Sequence, residues 1–187
     1  MNRLFRLVAL LTVFTFPIQA KEIVGIDMPN SLEANGTALS LNGAGIRSKM
    51  FMDIYVGGLY LIAPSQNADD IIKADKTMAM RLHMVSSLIT SKAMEEATLA
   101  GFEQASGGKT EQIAEPVDAF LDVFRETISE NDVFDIIYVS GKGVDVHKNN
   151  VFISTVKGDL HFKQALFAIW LGNKPAHKKL KQGMLGN

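Results

Sequence analysis

Residues 41–61, LNGAGIRSKMFMDIYVGGLYL, decide how the rest of the chain is read. Gly43-Ala44-Gly45 reads as a flexible turn, with Arg47 just after it. From Lys49 to Ile62 aromatic and apolar residues dominate and no proline interrupts, which predicts one long strand bent at Gly57-Gly58. In such a strand Arg47, Lys49, Phe51, Asp53 and Tyr55 share one face, while Met50, Met52, Ile54 and Val56 take the other. Two readings fit. Arg47 and Tyr55 can form a clamp for an anion or carbonyl, one giving a forked pair of donors and the other a hydroxyl. Alternatively Asp53 neutralises Arg47, and Tyr55 packs with its hydroxyl at the surface. Spacing alone does not choose between them.

On either side the pattern is that of strands, then helices, then strands and a helix. Asn35-Gly36 suits a tight hairpin between Leu32–Ala34 and Thr37–Leu41. Asn67–Lys73 reads as a brief helix, and Thr77–Val85 alternates with Met78, Met80, Leu82 and Met84 on one face and Arg81 and His83 on the other. Helices are predicted over Ser91–Ala105, Pro116–Ile128 and Asp159–Leu171, the last one stopped by Gly172 and Pro175. Between them lie strands at Val133–Val139, Val144–His147 and Val151–Ser154. This order predicts an α+β domain with a large, mostly antiparallel sheet covered by helices on one face.

The chain has 187 residues, the size of one domain. Arg3 and Arg6, the apolar run Leu7–Phe16 and Pro17 before Ile18-Gln19-Ala20 read as a secretory signal over residues 1–20, cleaved after Ala20. The alternative is a retained N-terminal tether. A single domain over residues 21–187 and a periplasmic or secreted location follow. Removing residues 1–20 takes away two arginines and no acid, leaving 17 basic and 20 acidic groups and a formal charge of −3. That balance excludes the broad cationic field of nucleic-acid binding. No later segment is apolar enough for a membrane span. With no cysteine, thiol catalysis and thiolate metal sites are excluded.

The methionines number nine. Met50, Met52, Met78, Met80 and Met84 fall on predicted strands, and Met94 falls on the helix that should cover them. They serve either an adaptable apolar pocket or an irregular core. His83, His147, His161 and His177 show no metal-ligand spacing, and neither HExxH nor GxSxG occurs. No metal or cofactor is expected. The tail cations Lys174, His177, Lys178, Lys179 and Lys181 read as a solvated face that also offsets a helix C-terminus.

At Asn42–Arg47, Lys49-Met50-Phe51 and Tyr55–Leu61 the sequence resembles the chalcone isomerase-like family, in particular its short exported bacterial branch. Arg81–Met84, Tyr138–Gly143 and Phe162–Gly172 with Lys174-Pro175 extend the resemblance over about Ile23 to Leu185. It implies an open-faced β-sandwich, a sheet layered with helices. The family holds plant enzymes that cyclise chalcones and proteins of the same fold that bind fatty acids without catalysis. Arg47 falls on the arginine that steadies the developing oxyanion in the former and meets a carboxylate in the latter. Tyr55 replaces an isomerase threonine. The isomerase's tyrosine and asparagine become Met94 and Gly101, and a late serine or threonine falls near His177. The resemblance therefore implies a non-catalytic binder of a fatty acid or similar hydrophobic carboxylate. Arg47 and Tyr55 would head the site, and Met80, Met84 and Met94 would line it. An isomerase using Arg47 on an unidentified enone, and an envelope interaction protein without a ligand, remain as alternatives.

Overall fold

The segment expected to be one strand is a hairpin. The computed structural model describes residues 21–187, so the predicted signal over residues 1–20 lies outside it. β1 (Lys21–Ile23) and β2 (Ile26–Met28) form a small ribbon, followed by β3 (Ser31–Ala34) and β4 (Thr37–Lys49). The chain reverses at Met50-Phe51 and returns as β5 (Met52–Leu61). Gly43-Ala44-Gly45 is thus not a turn but the interior of β4. Arg47 and Tyr55 come to one face as direct cross-strand partners, not as neighbours along one strand.

After β5 come α1 (Ala68–Lys73), β6 (Met78–Met84), α2 (Ser91–Ala105) and α3 (Ala114–Leu121). β7 (Val133–Val139), β8 (Gly143–Lys148) and β9 (Val151–Val156) complete the sheet before α4 (Leu160–Leu171) and α5 (Lys178–Met184). The seven strands β3 to β9 pair in chain order, all antiparallel. The α+β expectation holds, with the sheet covered by helices on one face.

Two apolar layers flank the sheet. On the helix side Met80, Leu82, Met84 and Tyr55 meet Phe102 of α2, Phe120 of α3 and Phe162, Leu166 and Trp170 of α4. Rings of Phe102, Phe120 and Phe162 pack at centroid distances of 5.8–6.4 Å. On the other side Met28, Leu39, Val56, Tyr60 and Ala79 form a smaller cluster, and the Tyr60 hydroxyl donates to the Pro29 carbonyl at 2.9 Å. Beside it Arg81 forks onto its cross-strand partner Asp135 at 2.6 and 2.7 Å.

α4 is buried on more than the one side its sequence suggested, and it carries a fully buried Lys163. The ammonium donates to the carbonyls of Ile71, Ile72 and Ala74 at 2.7–2.8 Å. These are the open carbonyls at the end of α1, which an ammonium suits in charge and geometry.

The tail, expected to be solvated, supplies α5. Leu180 and Met184 are fully buried against the sheet, while Lys178 and Lys179 remain exposed. The Lys181 ammonium donates to the Gly172 carbonyl at 2.9 Å, the expected offset of the α4 C-terminus. Gly43 and Gly45 explain how α5 sits so close. A Cβ on Gly45 would stand 3.0 Å from the Leu180 carbonyl oxygen, and one on Gly43 2.8 Å from that of Met184. Asn42 fixes this contact, its amide donating to the Met184 and Ser65 carbonyls at 2.8 and 2.9 Å.

Candidate functional site

An irregularity in strand pairing brings Arg47 opposite Tyr55. Arg47 pairs with Tyr55 but Ser48 pairs with Asp53, so Ile54 is an extra residue in β5. Such a bulge re-aims the side chains beside it. Tyr55 alternates with Val56 and Tyr60, sharing the helix side with Leu59, Leu61 and its partner Met84, and it is 2% exposed there. Trp170 of α4 donates its indole N–H to the Tyr55 hydroxyl at 2.8 Å. Burial pushes the phenol pKa up, opposed by the Arg47 charge and the indole hydrogen bond. Tyr55 is thus a neutral phenol, and its own proton has no acceptor among the described residues.

Arg47 is half-buried, its guanidinium carbon 5.5 Å from the centroid of the Tyr55 ring. That distance lies within cation–π range. Among the described residues Arg47 forms no ion pair. Asp53 accepts instead from the Ser48 hydroxyl at 2.8 Å. The bland reading, Arg47 on Asp53 with an outward Tyr55 hydroxyl, is therefore not what the fold contains.

Met84 is the cross-strand partner of Tyr55, and Met80 that of Leu59. Met80, Met84 and Met94 are all buried in the helix-side layer. Met50 and Met52 depart from the pocket-or-core expectation, since both are exposed at the hairpin. Gly101 lies where α2 crosses α4, and a Cβ there would stand 2.8 Å from Ile169 Cγ2. Close helix packing thus accounts for the glycine. His177 precedes α5 with Nδ1 3.2 Å from the Ile46 carbonyl oxygen. The sequence marks Trp170 as part of the apolar face of its helix and of the family resemblance, not as a site residue. A buried indole N–H needs an acceptor, which was the available signal.

Among the described residues, cavities of about 360 and 260 Å³ open on the surface. The larger lies at the far end of β5 and is lined by Leu61, Ile71, Ala74 and Met78 among others. The smaller lies between Ile72, Ala105, His161 and Ala165. Neither is lined by Arg47, Tyr55, Met80, Met84 or Met94.

A profile of chalcone isomerase-like proteins matches residues 20–186. The chain belongs to the chalcone isomerase-like family. As a member it shares its fold with a fatty-acid binding protein of Arabidopsis thaliana, at 20% identity and a TM-score of 0.69 over 90% of this chain and 95% of that one. No curated protein matches it. At that identity the likeness establishes the fold alone, and the chemistry rests on the residues described above.

Proposed function

We propose that this chalcone isomerase-like protein is exported and binds a hydrophobic carboxylate, such as a fatty acid, without transforming it. The observation that carries the reading is Arg47, held over a buried neutral phenol with no carboxylate on it among the described residues. A ligand carboxylate would complete both groups, accepting hydrogen bonds from the guanidinium fork and from the Tyr55 hydroxyl. Its tail would press against Met80, Met84 and Met94, whose flexible thioethers can repack around it. The likeness to a plant fatty-acid binding protein supports this ligand class.

Against catalysis stand Met94 and Gly101, at the positions where the resemblance puts the cyclases' hydrogen-bonding side chains. Each lost donor costs a few kcal/mol of transition-state stabilisation. A second reading, an envelope interaction protein with a closed interior, draws support from the cavities, neither of which is lined by Arg47 or Tyr55.

Native mass spectrometry of the purified protein separates these readings. Wild type should carry an acyl ligand, and Arg47→Ala should carry roughly tenfold less or lower still. Equal carriage overturns the proposal, and no carriage in either favours the closed interior. A chalcone absorbance assay showing a rate that vanishes in Arg47→Ala would instead assign an isomerase.

A further inference from the structure

The β4–β5 hairpin runs past its neighbour. Its last pair is Lys49 with Met52, whereas β6 leaves β5 at Met84 with Tyr55. At about 3.3 Å per residue, the tip projects roughly 10 Å beyond β6. The two tip residues, Met50 and Phe51, both have positive φ, 50° and 68°. Asparagine and glycine adopt these angles readily, whereas bulky side chains do so at a cost. No described residue packs over them in return, since Met50 is 79% exposed and Phe51 fully so. Exposed Leu88, in the loop after β6, stands at the same end.

The surroundings of the tip are cationic. Arg47 and Lys49 lie on the hairpin itself. Lys178 and Lys179 begin α5, the end of that helix nearest Ile46. None of these four forms an ion pair among the described residues. The acids at this end are Asp53, held by Ser48, Asp132, held by Lys148 and Asn149, and Glu126 and Glu130, whose chain segments bond to Ser91 and Met84.

We propose that the hairpin tip docks this protein on an anionic phospholipid bilayer, with Met50 and Phe51 inserted beneath the headgroups and the lysines against the phosphates. Two apolar residues on a narrow projection offer far less than the roughly 800 Å² per partner of a stable protein interface. Insertion into lipid requires no complementary pocket, and basic side chains near an anionic surface add to the attraction. This docking goes beyond the ligand reading and does not depend on it.

Phe51→Trp provides a direct test, since the native Trp170 is buried and contributes a constant background. Phosphatidylglycerol vesicles with brominated acyl chains should quench the introduced indole, and phosphatidylcholine vesicles should do so far less. Replacing the tip by Met50→Asn with Phe51→Gly should weaken vesicle flotation roughly tenfold or more. The same change should raise the thermal midpoint by roughly 2–4 °C, as the turn strain is relieved. An unquenched indole overturns the proposal, as does a double variant that floats like wild type. A wild type that dimerises through the tip without binding vesicles also overturns it, assigning the tip to a second copy.

Discussion

At each end of the helix-covered face a cation lies over a tyrosine ring. At the α1 end the Lys163 ammonium is 5.7 Å from the centroid of the Tyr138 ring, and at the hairpin end Arg47 is 5.5 Å from that of Tyr55. Lys163 also donates to three backbone carbonyls, and Tyr138 donates to Asp75 at 2.7 Å. Arg47 forms no ion pair among the described residues, and the Tyr55 hydroxyl only accepts. One end closes its hydrogen bonding on itself, as a structural joint does. The other leaves a guanidinium and a phenolic proton in hand, which is what the proposed carboxylate ligand would need.

The contrast breaks most readily at Lys163. Lys163→Met leaves three carbonyls without a donor and should cost about 3 kcal/mol in urea denaturation, since each buried unsatisfied group costs about 1–3 kcal/mol. A smaller loss than that of Arg47→Ala would reverse the assignment of the two ends.

Alkaline titration sharpens the same point. Burial draws Lys163 from 10.5 down to about 8, with Asp75 opposing. Between those two values the unfolded chain holds a proton that the folded chain has released, so stability rises with pH. The stability of wild type relative to Lys163→Met should therefore climb from pH 8 to 10.5 and level off outside that window. A flat difference would mean that the folded ammonium is not disfavoured.

Smaller effects belong to the hairpin end. Tyr55→Phe strips the Trp170 N–H of its acceptor and should cost about 1–2 kcal/mol, visible as a shifted Trp170 emission. The smallest effect should be that of Arg47→Ala, within about 1 kcal/mol in urea, even where it removes the proposed ligand. A loss near that of Lys163→Met would make Arg47 a structural joint as well.

How much of this was legible in the chain depends on the range of the signal. The alternation at Thr77–Val85 and the capped helix after Thr90 are local patterns, and β6 and α2 appear almost where expected. The β4–β5 reversal escaped because Met50-Phe51 carries none of the usual turn chemistry, while Gly43-Ala44-Gly45 carries it falsely. Those glycines serve the approach of α5, a contact that no nearby residue announces. Arg47 and Tyr55 were placed on one face by parity along a strand that does not exist. The turn and the Ile54 bulge together restored the result by another route. Trp170 lies 115 residues from Tyr55, so only the folded chain could pair them.

The clasp between Asn42 and Met184 spans 142 residues. At roughly 5–20 residues per second of synthesis, β4 waits on the order of ten seconds or longer for the helix that covers its glycines. Until then α2, α3 and α4 can cover the rest of that face, but the glycine stretch of β4 stays open. Folding of this domain is therefore completed only after nearly all of the chain has been made.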